Sequence, residues 1–142
     1  MKLSLLLLSM LTGMFLQAQN LSVIGNPNSV PNGITQARFN SVFKGESKNW
    51  DNGTKIKLAL MRSTTETGKQ TCSKVYLMSC DDVTKFWLRK AMESNTVAPA
   101  FFNTIGELQA FVSANPGAIG IIDLSAPAAG TRLITIDGKR AF

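Results

Sequence analysis

The stretch SANPGAIGIID, residues 113–123, decides how the rest of the chain is read. Asn115-Pro116-Gly117 stops a helix, because proline cannot continue one and glycine tolerates the backbone that ends it. The chain then runs straight into Ala118-Ile119-Gly120-Ile121-Ile122, an apolar run with no polar alternation. A strand with one wet face alternates, and a strand covered on both faces does not. The run therefore predicts a central strand of a largely parallel sheet. Its Ala and Gly are weak strand formers, but they admit a helix or a ligand close to the backbone.

Outward from this strand, helices and strands take turns. Upstream, Thr104-Ile105-Gly106-Glu107 has the spacing of a capping box, and Leu108, Phe111 and Val112 supply the inner face of the helix that ends at Asn115. Asp81-Asp82 opens an earlier helix, where acids suit the positive end of the helix dipole. Val83, Phe86, Trp87, Ala91 and Met92 share one face of it, and Phe86 and Trp87 read as core. Lys55 to Met61 alternates at its start and predicts a strand. Ile34 to Phe43 has helical spacing with Gly45 as its stop, and Leu21 to Gly25 reads as a short buried strand. Asn26 to Gly33 is a turn-rich loop and Thr96 to Phe102 a loop with an apolar bulge. Leu133 to Ile136 predicts the last strand. Strands alternating with helices imply an α/β layer.

The ends and the composition bound the rest. Met1-Lys2, an apolar core from Leu3 to Leu16 and Ala18 have the layout of a secretory signal peptide. The core is short against the roughly 20 residues of a membrane span, although a retained N-terminal anchor is the alternative. Cleavage after Ala18 leaves residues 19–142 as one domain, too short for two ordinary ones. The formal net charge of +6 then drops by the one charge of Lys2. A basic exported protein suits anionic partners, but scattered Lys and Arg and an extracytoplasmic address argue against nucleic acid. After cleavage nothing predicts a membrane association.

The two cysteines, Cys72 and Cys80, can pair only where a helix breaks between them. On one straight helix they would stand about 12 Å apart, against a reach of about 7 Å between Cα atoms. Ser79-Cys80-Asp81-Asp82 reads as such a break, so a bond and two free thiols are both open. There is no histidine, which removes the commonest general base and leaves either cysteine without a partner to make it a nucleophile. No carboxylate cluster suggests a metal. Neither catalytic residues nor a cofactor are expected.

In order, the landmarks are Phe43-Lys44-Gly45, Trp50, Gly53, a strand ending at Arg62, a hydroxyl-rich turn, two helices and Asn115-Pro116-Gly117-Ala118-Ile119-Gly120. This order resembles one lobe of the phosphate-binding proteins of ABC transporters, the type 2 periplasmic binding fold. The resemblance spans roughly Leu21 to Ile122, and Pro-Gly-Ala-Ile-Gly is its most specific part. It implies one three-layer α/β lobe, with a mostly parallel sheet flanked by helices. It also implies an anion site on Arg62, with Thr67 and Gly68 at the family's Ser and Gly. Lys69 replaces the family's Thr, Thr64-Thr65-Glu66 is inserted, and Glu66 sets a negative charge beside the site.

Arg62, Ser63, Thr64, Thr67 and Gly68 together offer an Arg fork, hydroxyl donors and a helix start, which is what a bound phosphate needs. The plain alternative is that these hydroxyls only cap the next helix. Trp50 either covers a ligand or packs its loop on the core, and Phe101-Phe102 forms either a contact patch or a half-buried pair. The function expected is an exported protein that weakly binds phosphate or a similar small oxyanion. A homodimer or an envelope protein is an open partner. The rival is an exported interaction module that has lost ligand binding and docks through Phe101-Phe102 or the basic face.

Overall fold

A computed structural model describes residues 20–126 and 130–142. The signal peptide expected over residues 1–18 and the mature start at Gln19 lie outside the described residues. Six strands form one sheet: β1 (Leu21–Gly25), β2 (Gly33–Ile34), β3 (Lys57–Met61), β4 (Ala100–Phe102), β5 (Ala118–Asp123) and β6 (Arg132–Ile136). Their spatial order is β2-β6-β1-β5-β3-β4. β3 pairs parallel with β4 and β5, and β2 pairs parallel with β6. β1 runs antiparallel to both of its neighbours, β5 and β6. Five strands thus point one way and β1 the other. Among the described residues there are four α-helices, α1 (Gln36–Phe43), α2 (Glu66–Thr71), α3 (Cys80–Ser94) and α4 (Ile105–Ala114), and a short π-helical turn follows α2 at Cys72–Tyr76.

β5 is central, and the two faces of its apolar run do different work. Ile119 and Ile121 join Leu58, Leu60 and Val23 in the cluster that receives Phe43 from α1 and Val83 and Trp87 from α3. Ala118 and Ile122 join Ala59 and Met61 on the other face, under Leu108 and Val112 of α4. The small residues of β5 are on the α4 side. A Cβ placed on Gly120 would stand 2.9 Å from the Leu108 side chain and from the Ala59 carbonyl. It is a helix that uses the room left by Ala and Gly.

The turn before β5 is clasped from three directions. Asn115 is extended, with φ −115° and ψ 114°, as a residue before proline prefers. The Asn26 side chain donates to the carbonyls of Val112 and Ser113 at 3.1 and 3.2 Å, capping the end of α4. Gly117 donates its N–H to Ser29 Oγ at 2.6 Å and accepts Trp50 Nε1 at 3.0 Å. Its φ of +79° and a Cβ position only 2.0 Å from the Lys55 carbonyl leave room for glycine alone.

Several elements differ from the sequence-based expectation. The chain pairs as β2 at Gly33–Ile34 before α1 begins, because Thr35 caps the helix by accepting from Arg38 N–H. β3 begins at Lys57, because Trp50–Thr54 and Lys48–Ile56 hydrogen bonds tie Lys55 and Ile56 to the preceding loop. Ala100–Phe102 is an edge strand, not a loop, since β3 offers it a free parallel edge. On α3, Val83 and Trp87 are buried and Phe86 is half-buried, but Ala91 and Met92 are exposed. The helix has outrun the core by then, and Lys90 lies 5.7 Å over the Phe86 ring.

Candidate functional site

β3 ends at Met61, and Arg62 sits just beyond it, its N–H donating to the Phe102 carbonyl at 2.9 Å. Ligands of open α/β sheets bind outside the carboxyl ends of the strands, and the turn that follows Arg62 is built there. Thr65 holds it together. Its N–H and hydroxyl both donate to the Arg62 carbonyl, at 2.9 and 2.6 Å, and its Oγ1 accepts the Gly68 N–H at 3.0 Å. Thr65 is therefore the N-cap of α2, a role that the sequence analysis does not give it. The signal was there: Thr is a preferred cap three positions before Gly68.

Gly68 is needed for a steric reason. A Cβ on it would stand 1.9 Å from the Arg62 carbonyl oxygen, so only glycine lets α2 close against the strand end. Arg62, Ser63, Thr64 and Gly68 line one cleft of about 300 Å³, together with Thr71, Tyr76 and Phe101. Arg62, Ser63 and Thr64 are exposed, and among the described residues Arg62 makes no ion pair. Thr67 is not brought to the cleft lining. It is buried in α2, where its carbonyl accepts the Thr71 hydroxyl at 2.8 Å. Gly68 N–H is likewise spent on the cap, which leaves the first N–H groups of α2, those of Glu66 and Thr67, without an intrahelical carbonyl. Glu66 is exposed in that first turn.

The cleft is also lined by Cys72 and Cys80. The helix does break between them: α2 widens into a π-type turn at Cys72–Tyr76, Leu77 takes a left-handed φ of 54°, and Ser79 caps α3. The break brings the Cα atoms to 5.3 Å, with the sulfurs bonded. Cys80 Sγ lies 3.9 Å from the Gly68 carbonyl. Tyr76 is no anion ligand in this arrangement, because its hydroxyl donates to the Phe43 carbonyl at 2.8 Å. Burial pushes that phenol well above its ordinary range, so the hydroxyl keeps its proton.

Trp50 is 3% exposed and packs its loop on the core. Phe101 is 38% exposed at the edge strand, and Phe102 turns inward to meet Phe111 with ring centroids 5.2 Å apart. Among the described residues no group of three or more His, Cys, Asp or Glu side chains is placed to hold a metal ion, and no helix is long and apolar enough to cross a membrane.

No protein-family model and no curated protein sequence matches the chain. Solved structures do. The crystal structure of an ABC-type phosphate transport receptor from Vibrio cholerae matches with a TM-score of 0.67 and 16% identity, over 87% of this chain and 49% of that one. A putative phosphate ABC transporter substrate-binding protein with bound phosphate from Clostridium perfringens gives 0.64 and 16%, over 87% and 47%. PstS from Borrelia burgdorferi gives 0.64 and 18%, over 85% and 48%. The chain spans about half the length of these structures. At such identity the likeness is one of fold: the described residues are similar to a single lobe of the substrate-binding proteins of phosphate ABC transporters.

Proposed function

We propose that this lobe is an exported binding protein for phosphate or a similar small oxyanion, held at the turn Arg62 to Gly68, and not an enzyme. The observation that carries the reading is the gathering of Arg62, Ser63, Thr64 and Gly68 around one cleft at the carboxyl end of β3. An exposed guanidinium with no carboxylate partner among the described residues suits a planar fork on an oxyanion. Two hydroxyls and the start of α2 add donors. The printed descriptions of the structural neighbours support phosphate as the ligand to try first.

Binding is weak in this reading. The cradle is open to water, so each contact acts in high dielectric, and Glu66 opposes the anion. A dissociation constant near millimolar, about −4 kcal/mol, is expected in phosphate-free buffer at low salt. Arg62→Ala abolishes the calorimetric signal. Arg62→Lys weakens it, because a point charge lacks the bidentate contact. Wild-type heats no different from those of Arg62→Ala would leave the turn as a helix cap only. The interaction-module reading would then come first, with Phe101 on the docking face.

Export rests on the layout of residues 1–18. Intact-mass analysis of secreted protein is expected to show Gln19 as the first residue, and a mass that retains Met1 would overturn it.

A further inference from the structure

A second and larger cleft, of about 510 Å³, lies at the other end of β3 from Arg62. That volume is within the range of small-molecule sites, roughly 300–1,000 Å³. Its walls mix exposed cations with apolar surface. Lys48, Lys55 and Lys57 line it, and no carboxylate does. Leu58 forms part of the buried side, and Val97, 74% exposed, is part of the lining.

The three lysines are not equivalent. Lys48 Nζ lies 3.4 Å from the Ser94 carbonyl at the end of α3, where a cation offsets the negative end of the helix dipole. Lys55 and Lys57 are two apart on an extended segment, so their side chains leave on the same side. Lys57 Nζ has only a neutral neighbour, Asn115 Oδ1 at 3.4 Å. Among the described residues the ion pair present is Arg38–Asp51, on another loop. Two ammonium groups with no carboxylate partner among the described residues therefore stand beside one partly apolar cavity. Glu46 and Glu93, on the flanking segments, are outside the lining.

We propose that this cleft binds a small amphiphilic carboxylate, its head between Lys55 and Lys57 and its hydrocarbon body along the apolar lining at Val97 and Phe111. A bare oxyanion would gain little here, because exposed lysines on flexible stems contribute weakly by themselves. The apolar wall distinguishes this site from the one at Arg62.

The structure supplies its own reporter. Gly45 and Thr96 both line the cleft, and a Cβ on Gly45 would stand 2.9 Å from the Trp87 ring and 3.1 Å from Thr96 Cγ2. The indole lies directly behind the wall. The test is a nuclear magnetic resonance titration of the intact chain with acetate, butyrate, hexanoate and octanoate, and with inorganic phosphate as control. Octanoate is expected to shift the amides of residues 55–58 and 95–98 and the Trp87 indole. Affinity should rise roughly two- to fourfold per added methylene. Lys55→Glu combined with Lys57→Glu weakens octanoate by about tenfold or more, and Val97→Asp weakens it as well. All three residues are exposed, so the variants keep the wild-type spectrum elsewhere. Arg62→Ala leaves octanoate binding unchanged, which separates this site from the oxyanion site. Equal shifts from acetate, phosphate and octanoate would reduce the cleft to a patch of positive charge and overturn the proposal. So would undiminished binding to the double lysine variant.

Discussion

Gly68→Ala is expected to lower stability by about 3 kcal/mol, while Gly106→Ala, the same change in another helix, raises it by about 0.5–1 kcal/mol. The opposite signs follow from what each new methyl would meet. At Gly68 it would stand 1.9 Å from the Arg62 carbonyl oxygen and 2.8 Å from that of Met61. Both are backbone atoms at the end of β3, so neither can swing aside as a flexible side chain would. Either α2 lifts from the sheet or the strand end shifts. Each movement breaks the Thr65 bonds to Arg62 and Gly68 and displaces the guanidinium. Phosphate heats should vanish along with the lost stability. At Gly106 no atom lies within 4 Å, and alanine there removes unfolded-chain freedom without a clash. Urea midpoints of both variants and calorimetry on Gly68→Ala test this. Midpoints that move in the same direction would show that α2 has slack against β3.

The Cys72–Cys80 bond is expected to contribute about 2–3 kcal/mol in the chain-entropy account, for a loop this short. Comparing oxidised and reduced wild-type protein in urea measures it without any substitution. The bond joins the end of α2 to the first residue of α3 across the break at Leu77, and Cys80 lies against the Gly68 carbonyl. Reduction should therefore loosen the turn after Arg62 as well as the fold, with faster exchange of the Gly68 amide that Thr65 protects. Thiol labelling of unreduced, denatured protein gives the direct reading. Two free thiols per chain would show that the bond does not form in solution, and equal midpoints would show that it adds nothing to stability.

What could be read from the sequence was set by neighbours a few positions apart. The cap at Thr104, the stop at Asn115-Pro116-Gly117, the unalternating run of β5 and the helix break between the cysteines all depend on local backbone preference and side-chain period. The landmark order added the lobe architecture and drew attention to Arg62. Thr65 is legible too, as a cap residue, but Ser63, Thr64 and Thr67 offer competing hydroxyls in the same turn.

The remainder depended on partners far along the chain. Nothing local told that β1 runs against its neighbours, since direction in a sheet is decided by where the connections return. β4 was hidden because three residues are too few for a period, and only the free edge of β3 makes them a strand. Thr67 reads as a site hydroxyl in sequence and is buried in space. The small residues of β5 promised a close approach without saying of what, and the arrival of Leu108 from α4 decided it. Local preference was enough for the four helices, the longer strands and their caps and stops, but not for the short strands β2 and β4. Tertiary structure alone decided which atoms meet at Gly68, which hydroxyls reach the cleft, and that Lys55 and Lys57 stand beside a cavity, because those are distances between segments that no local preference encodes.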